Sequence, residues 1–571
     1  MATDVLSLSL HGPLQKSVPA LAEELARQRV IARLFDKDPS LWSGDTAVQK
    51  TLANRLGWLT IADVTASRTG EIQSLADQVR AEGLTRAVLL GMGGSSLFPE
   101  VCRFTFGVAP GWVDVSVLDS TDPTAILAAQ HAAPLDKTLF IVSSKSGSTT
   151  ESSTLCDYFY DLMRRVAGER AGGRFIAITD QGTSLEALAA ERKFRKAFIH
   201  GPATGQDVGG RFSALTCFGM APAAMLGVDV RQLLTRAKEM LGASGPPVPP
   251  ADNPSLLLGA ALGDGARSGR DKVTLLCGKP LSRFGVWAEQ LIAECTGKSG
   301  TGLVPIDGER LRDPKTYGPD RLFLEMQVAG EPDAAVAGAA DALVRAGAPV
   351  VRLQWRDRYD LGAEVMRFFL ATAIASHLMK INAFDEPNVK ESKDRTKALL
   401  DRYAQEKALP DSAPSFIDGG SAVYADARMP SKTLPEAVRG WLGLIRPGDY
   451  VALASFLPRT PELDAAAQQL RRRVEDASGA ATMLGFGPRY LHSTGQLHKG
   501  GSDRVVLLFL TSEDPVDAPI PNQPYTFSVL KRAQALGDYQ ALQERKRRVL
   551  RLHLGRAPEQ GMRALLQSFP K

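Results

Sequence analysis

The chain has 571 residues, more than one hydrophobic core usually holds, and this length predicts roughly two to four domains. Hydrophobic residues make up 44% and charged residues 23% of the chain, a composition typical of a soluble globular protein rather than a low-complexity one. The net charge of +5 is too small to indicate a nucleic-acid or acidic-membrane partner. The basic run at residues 545–551 (RKRRVLR) is interpreted as the solvated face of a terminal helix.

The five cysteines indicate a reducing compartment, because they are sparse, odd in number and without metal-ligand spacing. The N-terminal residues show no basic segment followed by an apolar run, so no secretion signal is predicted. No run reaches the ~18–20 apolar residues that a membrane-spanning helix needs. We therefore expect a cytoplasmic protein without a membrane partner.

The chain alternates short apolar runs with helical patterns, which predicts parallel sheets covered by helices on both faces. Residues before about 75 look mainly helical. A long helix is expected at 362–379 and others at 151–166 and 462–477. The predicted strands are residues 87–90, 115–119, 139–143, 175–179, 273–277, 322–328, 350–354, 450–455 and 505–510.

Two linkers are predicted from composition. The run at residues 243–253 holds four prolines, and the run at 409–421 mixes proline, glycine and serine. The fold class is therefore α/β, with two doubly wound, mostly parallel-sheet domains and a C-terminal α/β region. The predicted parts are a helical segment at 1–75, a first sheet domain at 76–242, a second at 254–408 and the C-terminal region at 422–571.

Two turns directly follow predicted strands, where doubly wound sheets bind their ligands. The turn Gly91–Ser96 (GMGGSS) lets backbone approach a ligand closely. The turn Ser144–Ser152 (SKSGSTTES) offers hydroxyls, a lysine and a helix start, which suit a phosphomonoester. An ordinary helix cap is the alternative for this second turn. The string TGKS at 296–299 is not a nucleotide-binding loop, because Ile292 stands where that motif requires glycine.

At these turns the chain resembles the glucose-6-phosphate isomerase family, which has the sugar isomerase (SIS) fold and the strings GIGGS and SKTFTTxET. Three further strings are similar to the family's, in the same order. DVGGRFSAL (Asp207–Leu215) resembles GGR[FY]S, EQLIAECTGK (Glu289–Lys298) resembles QQxxMESNGK, and NAFDEPNVKESK (Asn382–Lys393) resembles NPFDQWGVELGK. The resemblance implies two SIS domains and an aldose–ketose isomerase of glycolysis and gluconeogenesis that interconverts glucose 6-phosphate and fructose 6-phosphate.

The resemblance also implies a role for each matching residue. Glu294 would move a proton between C1 and C2 of the open sugar through a cis-enediol, and Arg211 would stabilise the enediolate. Lys393 would assist ring opening. The substrate-binding positions fall on Gly94, Ser95, Ser144, Lys145, Ser146, Thr149 and Gln290. No metal or redox cofactor is expected, because the histidines lack ligand spacing and no dinucleotide fingerprint is present.

Each catalytic assignment has a simpler structural alternative. Glu294 lies in an apolar helical pattern, where a carboxylate is commonly a partnered structural group. Lys393 lies among charged residues typical of a solvated helix face, and Arg211 would pair with a nearby acid. The chain also departs from the family pattern at Glu386 and Pro387, which stand where the family has glutamine and tryptophan.

The family's ring-opening histidine is displaced in this chain. His377 is the only histidine between the predicted base and Lys393, and we expect it to pack in the core. A string similar to the family's histidine string, RYLHSTGQLHKGG (Arg489–Gly501), follows the lysine instead. We therefore predict His492 as the ring-opening acid/base and His498 as a second candidate. The alternative is that both histidines belong to a structural loop.

The displaced string and the additional C-terminal region are similar to the isomerase half of bacterial bifunctional transaldolase/glucose-6-phosphate isomerases. No transaldolase barrel precedes the isomerase-like region, so the chain is expected to be a free-standing form or an isolated half, with transaldolase as a functional or fused partner. The resemblance implies a homodimer whose histidine crosses between subunits, although the C-terminal position would let His492 act within one chain. The alternatives are a non-catalytic sugar-phosphate sensor and an isomerase of another hexose phosphate.

Overall fold

A computed structural model describes residues 8–426 and 428–570 of the chain, and its strands form three sheets. The N-terminal part consists of β1 (Leu8–His11), α1 (Leu14–Arg27), α2 (Val30–Phe35), α3 (Thr46–Ala53), α4 (Ile61–Ala66) and α5 (Thr69–Ala81). The segment predicted as helical therefore also contains a strand. This strand is short, and it joins the second sheet by antiparallel pairing with residues 350–353.

The first sheet is parallel and has the strand order β3-β2-β4-β5-β6. Its region consists of β2 (Arg86–Gly91), α6 (Leu97–Phe106), β3 (Asp114–Leu118), α7 (Pro123–His131), β4 (Thr138–Ser143), α8 (Thr150–Ala167), β5 (Phe175–Asp180), α9 (Ser184–Glu191), β6 (Lys196–His200), α10 (Cys217–Met225) and α11 (Val230–Ala243). The four predicted strands are present. Strand β6 escaped the sequence analysis because it is an edge strand with only two buried residues and no apolar run.

The second sheet has the order β1-β10-β9-β7-β8, in which only β1 is antiparallel to its neighbour. Its region consists of α12 (Pro254–Arg267), β7 (Lys272–Cys277), α13 (Phe284–Thr296), β8 (Val304–Ile306), β9 (Arg321–Val328), α14 (Ala334–Arg345), β10 (Val350–Trp355), α15 (Asp360–Leu378) and α16 (Pro387–Glu406). Helix α15 has the length and apolarity of a membrane span, yet 89% of it is buried inside the protein. It packs against α11 and α12, so one hydrophobic core continues across the proline-rich run between them.

The third sheet has the order β11-β12-β16-β15-β13-β14, with its last four strands parallel. Its region consists of β11 (Phe416–Asp418), β12 (Ser421–Tyr424), α17 (Leu434–Leu442), β13 (Tyr450–Phe456), α18 (Pro461–Ser478), β14 (Ala481–Phe486), α19 (Gly495–Gly500), β15 (Val505–Thr511), α20 (Phe527–Glu544), β16 (Arg548–His553) and α21 (Pro558–Gln567). The predicted α/β class with mostly parallel sheets is confirmed.

The basic run at 545–551 is not the solvated helix face that its charge suggested. Residues from Arg548 onward form the interior strand β16, and the Arg548 side chain is 1% exposed. It donates two hydrogen bonds to Asp449 at 2.5 and 3.0 Å, and Arg551 makes a similar pair with Asp411. Burial of these guanidinium groups is possible because each faces a carboxylate, a pairing that the local sequence does not reveal.

Candidate active site

The glycine turn after β2 packs directly against the turn that carries Arg211. A Cβ atom on Gly94 would lie 1.9 Å from the carbonyl oxygen of Gly210, so only glycine fits this contact. The Ser213 hydroxyl donates to the Gly94 carbonyl at 2.8 Å, and the Ser143 hydroxyl donates to the Ser95 carbonyl at 2.8 Å. Two of the predicted strings are therefore joined at the carboxyl edge of the first sheet.

The hydroxyl-rich turn after β4 leads into the N-terminus of α8. Thr149 is the N-cap residue, but its side chain makes no capping hydrogen bond. Its hydroxyl accepts instead from Ser144 at 3.2 Å, and the Ser146 side chain is exposed. The N-cap side chain therefore leaves N–H groups of the first turn to an anion, although the Glu151 carboxylate also interacts with its own backbone N–H. The arrangement favours phosphate binding over the helix-cap alternative.

The ammonium group of Lys145 is occupied by contacts within the protein. Its ammonium group pairs with Asp180 and donates to the Gln206 carbonyl at 3.1 Å. Burial lowers the pKa of Lys145, although the neighbouring Asp180 opposes that change. Of the predicted phosphate ligands, Lys145 is thus the one whose contacts do not support the role, because its charge is already paired within the protein.

Helix α13 presents Gln290 and Glu294, four residues apart, on one buried face. The Gln290 amide nitrogen lies 3.4 Å from Glu294 Oε1 and 2.9 Å from the carbonyl oxygen of His492. Arg211 Nη1 lies 3.4 Å from Glu294 Oε2. The structure therefore brings the predicted base, the predicted oxyanion partner and the displaced histidine string to one place.

The environment of Glu294 suits a general base. The side chain is 5% exposed, and burial raises the pKa of its carboxyl to about 7 even though the Arg211 guanidinium lowers it. The neighbouring carboxylate of Glu386 raises this pKa further. A carboxylate with a pKa near neutrality can both accept and return a proton at physiological pH.

The guanidinium group of Arg211 makes several hydrogen bonds, and one of its partners is Glu386, which stands where the family has glutamine. Its Nη1 donates to Glu386 at 2.9 Å as well as to Glu294, and its Nη2 donates to the carbonyl oxygens of Ala383 and Asp385 at 2.7 and 3.0 Å. The residue that replaces the family's glutamine therefore adds a second carboxylate beside the guanidinium. Pairing with a nearby acid, the simpler alternative for Arg211, occurs within the candidate site itself.

His492 belongs to a buried chain of hydrogen bonds that sequence analysis did not identify. Its Nε2 lies 2.8 Å from Oε1 of Glu151, and the same oxygen accepts from the Gln534 amide at 2.7 Å. Gln534 in turn accepts from the Thr121 hydroxyl at 2.7 Å. Burial opposes ionisation of Glu151, but His492 and Lys393 lower its pKa, so the carboxylate stays charged. An ionised Glu151 fixes the proton of His492 on Nε2.

Lys393 lies next to this chain of hydrogen bonds. It lines a small cavity of about 30 Å³ together with Glu151, His492 and Gln534. Lys393 is an exposed residue of α16, as the solvated-face alternative expects, but it also borders this cavity beside His492, the other group predicted to open the ring. Gly93 packs closely against the backbone of His492, since a Cβ atom at Gly93 would lie 2.7 Å from the His492 carbonyl oxygen.

His498 does not fit the acid/base role. It is 4% exposed, and its ring packs near Tyr450 and Tyr490. Its Nδ1 lies 3.1 Å from the Tyr450 hydroxyl, and burial lowers its pKa to about 3. The second candidate is therefore a core residue. His377 is half-buried rather than a core residue, and its Nδ1 lies 2.7 Å from the carbonyl oxygen of Leu41.

Two residues of the site were missed for different reasons. Glu151 lies inside the hydroxyl-rich string, so its place at the start of a helix after a strand was a usable signal. Gln534 lies in the middle of α20, in a pattern that nothing distinguishes from an ordinary amphipathic helix. Its role depends on a contact between residues 383 positions apart.

Known proteins resemble part of this chain. Residues 62–302 match the family model described as "PGI: Phosphoglucose isomerase". A glucose-6-phosphate isomerase from Synechococcus sp. (strain JA-3-3Ab) is 28% identical over 364 residues, which cover 56% of this chain and 67% of that relative. A glucose-6-phosphate isomerase from Carboxydothermus hydrogenoformans (strain ATCC BAA-161 / DSM 6008 / Z-2901) is 28% identical over 414 residues, which cover 63% of this chain and 88% of that relative. In structure, a hypothetical protein from Thermus thermophilus aligns with a TM-score of 0.59 at 24% identity, over 69% of this chain and 99% of that protein.

Proposed function

We propose that this chain, whose predicted likeness to the glucose-6-phosphate isomerase family is confirmed by these matches, interconverts glucose 6-phosphate and fructose 6-phosphate. The observation that carries the proposal is the buried Glu294 carboxyl, with a pKa of about 7, beside Arg211 and Gln290. A proton carrier of this kind is what an aldose–ketose isomerisation requires.

The phosphate of the substrate would bind at the turn after β4. The hydroxyls of Ser144, Ser146 and Thr149 and the uncapped N–H groups of α8 supply donors for a dianion. The backbone of Gly94 and Ser95 would lie along the sugar. We assign Lys145 a supporting role there, because its ammonium group is paired with Asp180.

Ring opening would use His492 with Lys393. If the Nε2–H group of His492 donates its hydrogen bond to Glu151, the lone pair on Nδ1 is free to act as the base. It would take the proton of the C1 hydroxyl and return a proton to the ring oxygen as the C1–O5 bond breaks. Lys393 lines the same cavity and would stabilise charge on the ring oxygen.

Isomerisation would use Glu294 in both directions. Its carboxylate would remove the C2 proton of open glucose 6-phosphate, and the C1 carbonyl would become an enediolate oxygen. The proton of the C2 hydroxyl would pass to O1, and the carboxyl of Glu294 would return its proton to C1 as the C2 carbonyl of fructose 6-phosphate forms. Arg211 would stabilise the enediolate charge, and Gln290 would orient the substrate. Every proton is thus carried by the substrate and by side chains of this chain.

We also propose that the site is completed within one subunit. The His492 carbonyl contacts Gln290 and its ring contacts Glu151, all in the same chain. A homodimer in the cytoplasm, with transaldolase as a metabolic or fused partner, is compatible with this arrangement. The site does not depend on such a partner for its histidine.

The test is a coupled assay with fructose 6-phosphate, in which glucose-6-phosphate dehydrogenase converts the product and NADPH is recorded with and without a chelator. We expect chelator-resistant turnover. A protein that binds fructose 6-phosphate but does not turn it over would instead be a sugar-phosphate sensor. Mannose 6-phosphate in a parallel assay would reveal a different hexose preference.

A further inference from the structure

A second cavity lies beside the third sheet, and none of its lining residues lines the cavity at Glu151 and His492. The parallel strands there have the spatial order β14-β13-β15-β16, so the chain leaves the neighbouring strands β13 and β15 toward opposite edges of the sheet. Doubly wound sheets bind small molecules beyond the carboxyl ends of such a strand pair. In this sheet those ends are Phe456 and Thr511, which pair with each other and line the cavity.

The size and walls of this cavity suit a small organic molecule. It has a volume of about 660 Å³ and lies between the sheet, the end of α16 and the first half of α20. Small-molecule sites typically have volumes of about 300–1,000 Å³. One wall is apolar or aromatic and consists of Tyr403, Leu409, Phe456, Val529, Ala535 and Leu536.

The acidic groups that line the cavity all have hydrogen-bond partners, and two of the three pair with a cation. Asp514 pairs with Lys531, which also contacts Asp122. Asp517 accepts from the backbone N–H of Ser528 at 3.0 Å. Glu513 accepts from the Arg556 side chain at 2.9 Å. Of these carboxylates, only Asp517 lacks a cationic partner among the described residues, and it accepts instead from the backbone N–H groups of Ala518 and Ser528.

The uncommitted polar groups of the cavity are cations and donors. Arg532 is 56% exposed, and its contact to the carboxylate of Asp411 is long, at 3.8 Å. The Lys407 ammonium group lies over the ring face of Tyr403. The Ser512 hydroxyl is buried without a hydrogen-bond partner among the described residues, and His553 lines the same space. A weakly paired guanidinium, an ammonium and a free hydroxyl together favour an anionic ligand.

We propose that this cavity binds a small organic anion, with a phosphate or carboxylate head group facing Arg532 and a planar or apolar body against the Phe456 wall. The inference is independent of the isomerase proposal, because none of these residues belongs to the machinery described above. A lone inorganic ion would leave most of the volume unused.

The test is calorimetric titration of the full chain with AMP, adenosine and benzoate, repeated with fructose 6-phosphate at saturation so that the other site is occupied. We expect AMP to bind and adenosine, its uncharged counterpart, to bind at least about fivefold more weakly, as expected for one charge-assisted contact. Benzoate binding in place of AMP would identify a carboxylate head group.

Arg532→Ala should weaken binding of the anionic probe about fivefold, whereas Arg472→Ala, an exposed arginine of α18, makes the same charge change and should not. Thermal unfolding of both variants reports on their folding. The proposal is overturned if neither AMP nor benzoate binds, or if both variants bind as the unmodified chain does.

Discussion

Gln534 donates a hydrogen bond from Nε2 to Oε1 of Glu151 at 2.7 Å, and this contact joins helix α20 of the third sheet to the carboxylate beside His492. Both side chains are buried, with 3% and 4% of their surface exposed. A buried amide in this position determines where the carboxylate oxygen lies, because buried polar groups depend on their partners within the protein. The C-terminal region therefore supplies both the histidine and part of its support.

We predict that Gln534→Leu lowers kcat about tenfold while KM for fructose 6-phosphate changes little. Removing the amide frees the Glu151 carboxylate to rotate, so the Nε2 proton of His492 is less firmly held and ring opening slows. The matched control is Gln543→Leu on the exposed face of the same helix. Steady-state kinetics and the pH profile check this, and an unchanged kcat and profile would show that Gln534 has only a packing role.

Glu294→Gln should lower turnover by about a thousandfold, because an amide cannot accept the C2 proton. Substrate binding should persist, since the turn after β4 is untouched. Calorimetric titration with fructose 6-phosphate separates the two effects. Near-normal turnover in this variant would remove Glu294 from the proposed mechanism.

The pH dependence of kcat/KM should reflect ionisation of the Glu294 carboxyl. Glu294 acts as a base only when ionised, so activity should rise as pH increases through about 7 and then level. The Glu386 carboxylate raises the pKa of Glu294, and Glu386→Gln should therefore move this acid limb to lower pH. Glu462→Gln, an exposed carboxylate of α18, should leave it in place. A limb that does not move would contradict the coupling of the two carboxylates.

Most strands could be predicted from the sequence, because strands that are buried on both faces appear as continuous apolar runs, as in residues 139–143 and 505–510. Strand β6 could not be predicted, because its edge position leaves no such run. Strand β16 could not be predicted either, because its buried arginines resemble those of an exposed surface. Ligand turns were predictable where a strand ends in glycine or hydroxyl residues. The Glu151–Gln534 contact was not, because it forms between distant segments only after folding.

Asp449→Asn should destabilise the third sheet strongly. Arg548 is 1% exposed and Asp449 is its carboxylate partner, so the variant leaves a buried guanidinium without its counter-charge. Loss of one partner of such a pair costs about 3–5 kcal/mol. The exposed pair of Lys397 and Asp401 offers a control, since Asp401→Asn should leave the free energy of unfolding nearly unchanged. Denaturant unfolding compares the two, and equal effects would contradict the role assigned to Arg548.

Mixing two inactive variants tests whether the site lies within one chain. Glu294→Gln lacks the base and His492→Ala lacks the ring-opening group, while Gln290 contacts both residues within one subunit. If each site is built from a single chain, a mixture of the two proteins has no complete site, and we expect no gain over the sum of the separate activities. Unfolding and refolding the mixture together ensures that subunits of any oligomer can exchange. Activity that recovers toward about one quarter of the unmodified level, the value expected for random pairing in a dimer with shared sites, would show instead that His492 acts on the neighbouring subunit.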